Sequence, residues 1–537
     1  MISRISPKSK CIRKFSQILI RSWISENNTK YQRNFRSFEI PGKTNHIYFN
    51  SIVIKDIQAI FFDFDGTIAD TEEIHFKSFN RVLEKFGLEI SWQEYLEKYL
   101  AYTDQEFFKK ISEEKKIEID INEACKLKQE YTREDLKHAK PLPGVIEAIK
   151  YFKKKYPLCI VSGALKEEIE FILKNFGILD MFEEIVSGDD YDEGKPSPKP
   201  FEIAIEKMKK LGYKINNELC VAFEDSGYGI ISAKKTGLLA VGITTFYSQE
   251  KLKESGADIV INSLIGPEEI EEKIKSLLKT RILEGDKVLL VSHKKNKTFL
   301  ITADKKNDIH THLGIIKGIQ VVGNYYGRKI LSSKGESFYL LEPTLEDRIK
   351  KIERKSAIIY SKDSSIMIFL SGISSGSRVI ETGCGSGGMT LALAHFIKPT
   401  GKVFVYEIRD DFIELTKRNL EKNNLLEYVE FKKRDIYKEE FDERDIDAVF
   451  IDLPEPWHCI RAAWKSLKPS GVLISVSPTV NQTEIFCELL RANGFILVDT
   501  FEVLLRRFLS REGKSRPYED MIGHTAYISI GRKVLDR

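Results

Sequence analysis

The sequence predicts an α/β protein built from two doubly wound, Rossmann-like domains with a small β-rich module between them. Three observations carry this expectation. Short apolar runs such as Ala59-Ile60-Phe61-Phe62 end abruptly at an acid or glycine, as strands buried on both faces of a parallel sheet do. Segments of about ten or more residues with helical periodicity separate them. The alternation occurs twice, with a stretch rich in Lys, Asn and Gly between, and 537 residues are too many for one core.

Residues 1–54 stand apart as a basic extension. The first 36 hold nine basic residues against one acid, Glu26, and Phe15, Ile18, Leu19, Ile20 and Trp23 are spaced for an amphipathic helix. That composition resembles an organelle transit peptide and equally suits a disordered basic tail or a start codon placed too far upstream. From Asp56 the texture changes. After the strand at Ala59 to Phe62, residues 72–138 read as amphipathic helices, and further strands follow at Leu158 to Val161, Ile185 to Val186, Cys220 to Phe223 and Leu239 to Ile243. A helical block inserted after the first strand lies over the carboxyl ends of the strands, where ligands bind in such sheets, so it reads as a cap. The capped domain spans 55–278, and a charged helical stretch, Glu268 to Leu283, leads out of it. The β-rich module, 279–343, has strands at Lys287 to Ser292, Thr298 to Thr302 and Ser337 to Leu341. The second α/β domain, 344–537, has strands at Arg378 to Thr382, Lys402 to Ile408, Val429 to Lys433, Ala448 to Asp452 and Val472 to Val476. Phe495 to Phe508 and Met521 to Gly531 have no helix between them and predict an antiparallel pair.

Composition narrows the function classes. Hydrophobic residues at 42% and charged residues at 31% exclude a mainly disordered, collagenous or coiled-coil chain. The formal charge of +4 announces no global affinity for polyanions, so any nucleic-acid site must be local. Seven scattered Cys without CxxC spacing argue against a disulfide framework or a zinc site and for a reducing compartment. The cytoplasm is the expectation, with a mitochondrion or plastid as the alternative through the basic extension. No apolar run approaches the roughly 18 to 20 residues of a membrane span.

The first chemical constellation is Asp63-Phe64-Asp65-Gly66-Thr67, directly after a buried strand, with both carboxylates facing one way because strand side chains alternate. Two acids there call for a cation, and Mg²⁺, a hard ion wanting oxygen ligands, suits them better than zinc. Glu224 and Asp225 end a later strand at the same edge, Ser162 ends another, and Lys195 lies in Gly194-Lys195-Pro196-Ser197-Pro198. Together they supply a carboxylate nucleophile, a second carboxylate for proton transfer, phosphate-binding groups and metal ligands. DFDGTIADTE, VSG at 161–163, GKPSPKPF and EDSGYGI resemble the four motifs of the haloacid-dehalogenase-like phosphohydrolases, in the helical-cap branch that includes β-phosphoglucomutase. The resemblance implies Asp63 as the nucleophile that becomes an aspartyl-phosphate and Asp65 as general acid and base. It implies Ser162 and Lys195 as phosphoryl ligands. Asp63, the Asp65 carbonyl, Glu224 and Asp225 would hold Mg²⁺. His75 falls where mutase-like members place a cap-side His, and it equally suits a half-buried structural role. Mutases usually carry a glycine-bearing specificity loop and a cap Arg for a second phosphate. The stretch Tyr99 to Gln105 offers Thr103 and Asp104 instead, which favours a phosphatase acting on a small phosphoester and leaves a sugar-phosphate mutase as the alternative.

The second constellation is Val379-Ile380-Glu381-Thr382-Gly383-Cys384-Gly385-Ser386-Gly387-Gly388, a strand, a glycine-rich turn and then a helix from Met389 to Ile397. Gly383, Gly385 and Gly387 permit close backbone approach to a nucleotide-like ligand. Glu407 ends the next strand where a carboxylate meets ribose hydroxyls, and Asp435 follows the third strand, within reach of an adenine amino group. Asp452-Leu453-Pro454-Glu455-Pro456-Trp457 ends the fourth, an acid followed by prolines and an aromatic suited to gripping a flat base. HTHLG at 310–314, LLEPTLEDRI at 340–349, IIYSKD at 358–363, ETGCGSG at 381–387, DLPEPW at 452–457 and MIGHTAY at 521–527 resemble the tRNA (adenine-N1)-methyltransferases that modify position 58 of the T-loop. Ser361 departs from the Pro usual after the Tyr. The resemblance implies S-adenosylmethionine (SAM) at Gly383, Gly385, Gly387, Glu407, Asp435 and Asp452, with Asp452 catalytic and Tyr360 positioning the base. It implies a homotetramer assembled through 283–537. Arg506, Arg507, Arg511, Lys514 and Arg516, across one hairpin, are candidate contacts to tRNA phosphates, or simply a solvated face. His310, His312 and His524 lack metal-site spacing. The competing expectation is that one half is a noncatalytic RNA-binding or assembly module.

Overall fold

The first sheet has six parallel strands in the spatial order Glu184–Val186, Leu158–Val161, Ala59–Phe62, Cys220–Glu224, Leu239–Ile243, Ile259–Ile261. The chain enters at the middle, runs to one side, then returns to the other, so the crevice between Ala59–Phe62 and Cys220–Glu224 is a topological switch point. This computed structural model describes residues 55–536 apart from 100, 101, 103 and 296; the basic extension and Thr103 lie outside the described residues. Ala59–Phe62 is apolar throughout because both of its faces are covered: Ile60 and Phe62 enter one hydrophobic cluster, Ala59 and Phe61 the other. The sixth strand, Ile259–Ile261, was not anticipated; three residues at a half-buried edge leave too short a pattern to read.

The cap consists of helices Glu72–Leu83, Trp92–Lys98, Asp104–Lys115 and Ile121–Asp135 around their own core of Phe79, Tyr95, Tyr99, Phe107, Phe108 and Ile111. Its two connections to the sheet pair with each other, Ala69–Asp70 antiparallel to Lys140–Pro141. The cap thus stands on a two-stranded base.

The module contains a four-stranded antiparallel sheet ordered Thr298–Thr302, Lys287–Ser292, Ser337–Leu341, Lys329–Leu331, and a separate pair, Ile309–Thr311 with Gly314–Ile316. The helix before it, Pro267–Lys279, stops short of Leu283 because Ile282 already exchanges backbone hydrogen bonds with the module at Gly323 and Asn324. Between them Arg281, almost fully buried, donates to Gly237 O of the capped domain at 2.9 Å and to Gly323 O of the module at 3.2 Å.

The second α/β sheet has seven strands in the order Val429–Lys433, Lys402–Glu407, Arg378–Thr382, Ile446–Ile451, Leu467–Ser477, Tyr527–Lys533, Phe495–Glu502. The first five are parallel and the last two join antiparallel. The expected terminal pair therefore exists but is displaced along the chain. Residues beyond Glu502 leave the sheet, with Leu504 and Leu505 exposed, and Phe508–Leu509 pairs instead with Arg516–Pro517. No helix among the described residues is long and apolar enough to cross a membrane.

Candidate active sites

In the capped domain the switch point gathers the acids. Asp63, Glu224 and Asp225 each offer a carboxylate oxygen within 4.8 Å of the others'. Lys195 Nζ reaches Asp63 Oδ1 at 2.6 Å, Glu224 Oε1 at 2.7 Å and the carbonyl of Val161 at 2.7 Å. One ammonium does not neutralise three acids. Burial, opposed by Lys195, pushes Glu224 up to about 8, and burial with repulsion from Asp63 and Glu224 pushes Asp225 well above the carboxylate range. Glu224 Oε2 is buried without a hydrogen-bond partner. An all-oxygen, over-acidic cluster with an orphaned carboxylate oxygen fits a hard divalent cation. Asp65, expected to offer the metal its backbone carbonyl, adds no carboxylate to the cluster. Its oxygens accept hydrogen bonds from Thr71 Oγ1 and, at 3.4 Å, from Ser162 Oγ. Burial first, then Asp63, raises Asp65 to about 6. Lys195 is held charged: burial disfavours the ammonium, but Asp63 and Glu224 outweigh it and raise its pKa.

The cap closes over this edge and leaves a cavity of about 670 Å³ reaching from Asp65, Gly163 and Gly188 at the strand ends to His75, Asp104 and Lys128 on the cap. Helical spacing aligns Ala124, Lys128 and Thr132 on the buried face of Ile121–Asp135. Lys128 is not singled out from sequence, because Ala124 and Thr132 beside it make too weakly apolar a row to mark a buried face.

In the second domain the strand ends of one sheet edge again form the site. Gly383 N donates to Tyr406 O at 3.0 Å and Asp452 N to Thr382 O at 3.0 Å, so the glycine turn lies between the Glu407 and Asp452 strand ends. Gly383, Gly385 and Gly387 all have left-handed φ, and a Cβ on Gly383 would stand 2.3 Å from Asp452 O. Glu407 Oε1 accepts the N–H groups of Ile408 and Arg409, which fixes the carboxylate. Asp435 faces solvent and is lowered by Lys438 and the Tyr437 N–H. Crossing the turn, Ser356 Oγ lies 2.9 Å from Ser386 Oγ, and the segment continues to Tyr360, half exposed at the start of helix Ser361–Ser371. Ser361 uses its hydroxyl on Glu346.

Asp452 caps nothing, since the short helix Pro456–Cys459 starts at Glu455. Protein crowding alone pushes its carboxyl up to about 6, with no ion pair opposing it. Water reaches the side chain from the open side, which moderates that rise. Trp457 is half-buried against the cluster around Ile460 and Ala463, so its main contacts are packing. Glu381, first residue of the glycine motif, was missed. It is buried, its Oε2 lacks a partner, and burial raises it to about 8. An acceptor without a donor, a fixed Glu407 and a backbone turn open to close approach fit a nucleoside cofactor bringing ammonium and hydroxyl donors. Arg506, Arg507, Arg511, Lys514 and Arg516 are all exposed around the Phe508–Leu509 hairpin. His524 bonds Glu502 at 2.6 Å and Pro478 O at 3.0 Å rather than joining a metal cluster.

Comparison with known proteins matches each half separately. The family model described as "tRNA methyltransferase complex GCD14 subunit" covers residues 336–524. The tRNA (adenine(57)-N(1)/adenine(58)-N(1))-methyltransferase TrmI of Methanocaldococcus jannaschii is 32% identical over 272 residues, 45% of this chain and 94% of that protein. The chain belongs to the tRNA (adenine-N1)-methyltransferase family. Another relative in this methyltransferase family, TrmI of Thermus thermophilus, is 30% identical, covering 46% of this chain and 96% of its own length. The crystal structure of tRNA (m1A58) methyltransferase TrmI from Aquifex aeolicus shares 32% identity over 48% of this chain and 100% of that one, with a TM-score of 0.42. The match to the methyltransferases leaves the capped domain outside it. Residues 60–243 match the haloacid dehalogenase-like hydrolase model, and the chain is thus a fusion of the two. CbbY from Rhodobacter sphaeroides, solved with phosphate, is 26% identical over 39% of this chain and 96% of that one, with a TM-score of 0.34.

Proposed function

We propose that the chain transfers a methyl group from SAM to N1 of adenine 58 in the tRNA T-loop and, through its other half, hydrolyses a small phosphoester with Mg²⁺. The observation that carries the first activity is Asp452: a carboxylate without a cation partner, held against the wall of the glycine turn. SAM supplies an electrophilic methyl group on a sulfonium. Glu407 binds ribose hydroxyls, Asp435 the adenine of the cofactor, and Glu381 a donor at the foot of the turn. Asp452 accepts a hydrogen bond from the exocyclic amino group of the target adenine, raising N1 nucleophilicity and stabilising the cationic product. Tyr360 helps position the base, which must leave its stack to reach the site. The exposed arginines and Lys514 hold phosphates. Exposed Phe369, Leu370 and Phe396 on the same half support assembly into an oligomer, with a tetramer the family expectation.

In the capped domain Asp63, Glu224 and Asp225 hold Mg²⁺, which screens charge on the phosphoryl group. An Asp63 oxygen attacks phosphorus, and Asp65 protonates the departing ester oxygen. Asp65 then takes a proton from the water that cleaves the aspartyl-phosphate. A pKa near 6 suits both duties. Lys195 and Ser162 bind the phosphoryl oxygens.

The two sites are tested against each other in the intact chain. Asp452→Ala abolishes 1-methyladenosine formation in tRNA and keeps phosphate release; Asp63→Asn does the reverse. Methylation undiminished in Asp452→Ala, or phosphate release undiminished in Asp63→Asn, removes the corresponding assignment.

A further inference from the structure

We infer that the cavity beneath the cap admits phosphomonoesters with a hydroxyl-rich body and rejects those carrying a second anionic group. This selectivity rests on the phosphatase reading above and concerns the far end of the same cavity.

Among the described residues lining the cavity, Lys128 is the one lysine or arginine, against the acids Asp65, Glu72, Asp104 and Glu168. Lys128 is also already engaged. Its buried ammonium lies 2.9 Å from Asp104 Oδ1 and 3.0 Å from His75 Nδ1. A second phosphate or carboxylate entering here meets a lysine neutralised by Asp104, with three more carboxyls close by, and is desolvated without compensation.

Hydroxyl groups find the opposite situation. An ammonium has only donors, so His75 Nδ1 accepts from Lys128, the ring is neutral, and its Nε2 carries the proton as a donor. Thr132 Oγ1 is buried with no partner. Gln105 and Gln129 offer amides that donate and accept. A polyol satisfies such groups at little electrostatic cost, and the volume falls within the usual range for small-molecule sites. Asp104 is thus a specificity-determining residue: it decides what charge Lys128 presents to the substrate.

The test uses the intact chain with Mg²⁺ and measures phosphate release from three probes: fructose 1-phosphate, fructose 1,6-bisphosphate and p-nitrophenyl phosphate. Fructose 1-phosphate is expected to exceed the bisphosphate in kcat/KM by tenfold or more. Asp104→Asn frees the Lys128 charge and narrows that ratio by about tenfold, chiefly through KM for the bisphosphate. Lys128→Gln, whose folding does not depend on the same substitution, widens it. A bisphosphate turned over as fast as the monophosphate, or a ratio unmoved by either variant, overturns the proposal. Absence of release from p-nitrophenyl phosphate as well defeats the phosphatase reading beneath it.

Discussion

Gly383→Ala isolates how closely the cofactor turn and the catalytic carboxylate are built together. At φ +78° an alanine incurs about 1–2 kcal/mol of left-handed strain. Its Cβ would also stand 2.3 Å from Asp452 O and 3.0 Å from Leu453 Cδ2. The first of these atoms is backbone, about 1 Å closer than ordinary contact, so relief requires the Asp452 turn itself to move. Overpacking of that kind adds about 1–3 kcal/mol, for a total of about 2–5 kcal/mol. Gly372→Ala is the control: it has φ +68° and nothing within 4 Å of the added atom, so only the strain of about 1–2 kcal/mol applies. The two variants are compared by urea unfolding and by methyl transfer from labelled SAM to tRNA. A displacement of about 1 Å at a catalytic group lowers turnover on the order of a hundredfold, whereas Gly372→Ala leaves it near wild type. Equal stability and equal methylation in the two variants would refute the claim that the turn packs directly on the Asp452 backbone.

Three other perturbations read separate features. Asp452 must be ionised to accept the adenine amino hydrogen, and its pKa is raised toward about 6, so methylation falls as pH drops through a one-proton midpoint no higher than about 6; a profile flat down to pH 4 contradicts the role. Glu271, bonded by Tyr151, Tyr156, Lys155 and Lys275, is lowered from 4.5 to about 2, so its stabilisation is complete above the unfolded pKa and lost as pH falls from about 4.5 through about 2. Discounted for solvent screening, Glu271→Gln removes about 1–2 kcal/mol at pH 7 and much less at pH 2.5, measured by denaturant unfolding at both values. Replacing Arg506, Arg507, Arg511, Lys514 and Arg516 by Gln lowers the slope of log K for tRNA against log salt by about 3.5 to 4.5 if these side chains sit on phosphates, and an unchanged slope assigns them to solvent.

What was legible in the sequence follows from which interactions are local. Ala59–Phe62, Leu158–Val161, Leu239–Ile243 and Arg378–Thr382 appear at the expected positions, because a strand covered on both faces must be apolar and a strand end that carries chemistry must be polar. Asp63, Glu224, Asp225, Glu407 and Asp452 could be found for the same reason: each ends an apolar run at the carboxyl edge of a parallel sheet. Lys128 and Glu381 belong to a different class. Lys128 lies in a charged helix with Lys126, Glu130, Arg133 and Glu134, and only the fold shows that it turns inward to meet Asp104 and His75. Glu381 sits within a strand whose adjacent residues are buried, and only the fold shows that its Oε2 is enclosed without a hydrogen-bond partner. Motif positions are thus fixed by the chain's own alternation, whereas the residues that tune charge around them are set by contacts across the fold. Asp104 shows the consequence: it is solvent-accessible, acidic and unremarkable on its own helix, yet its single partner decides whether the cavity offers a second anion a cation or a neutral pair.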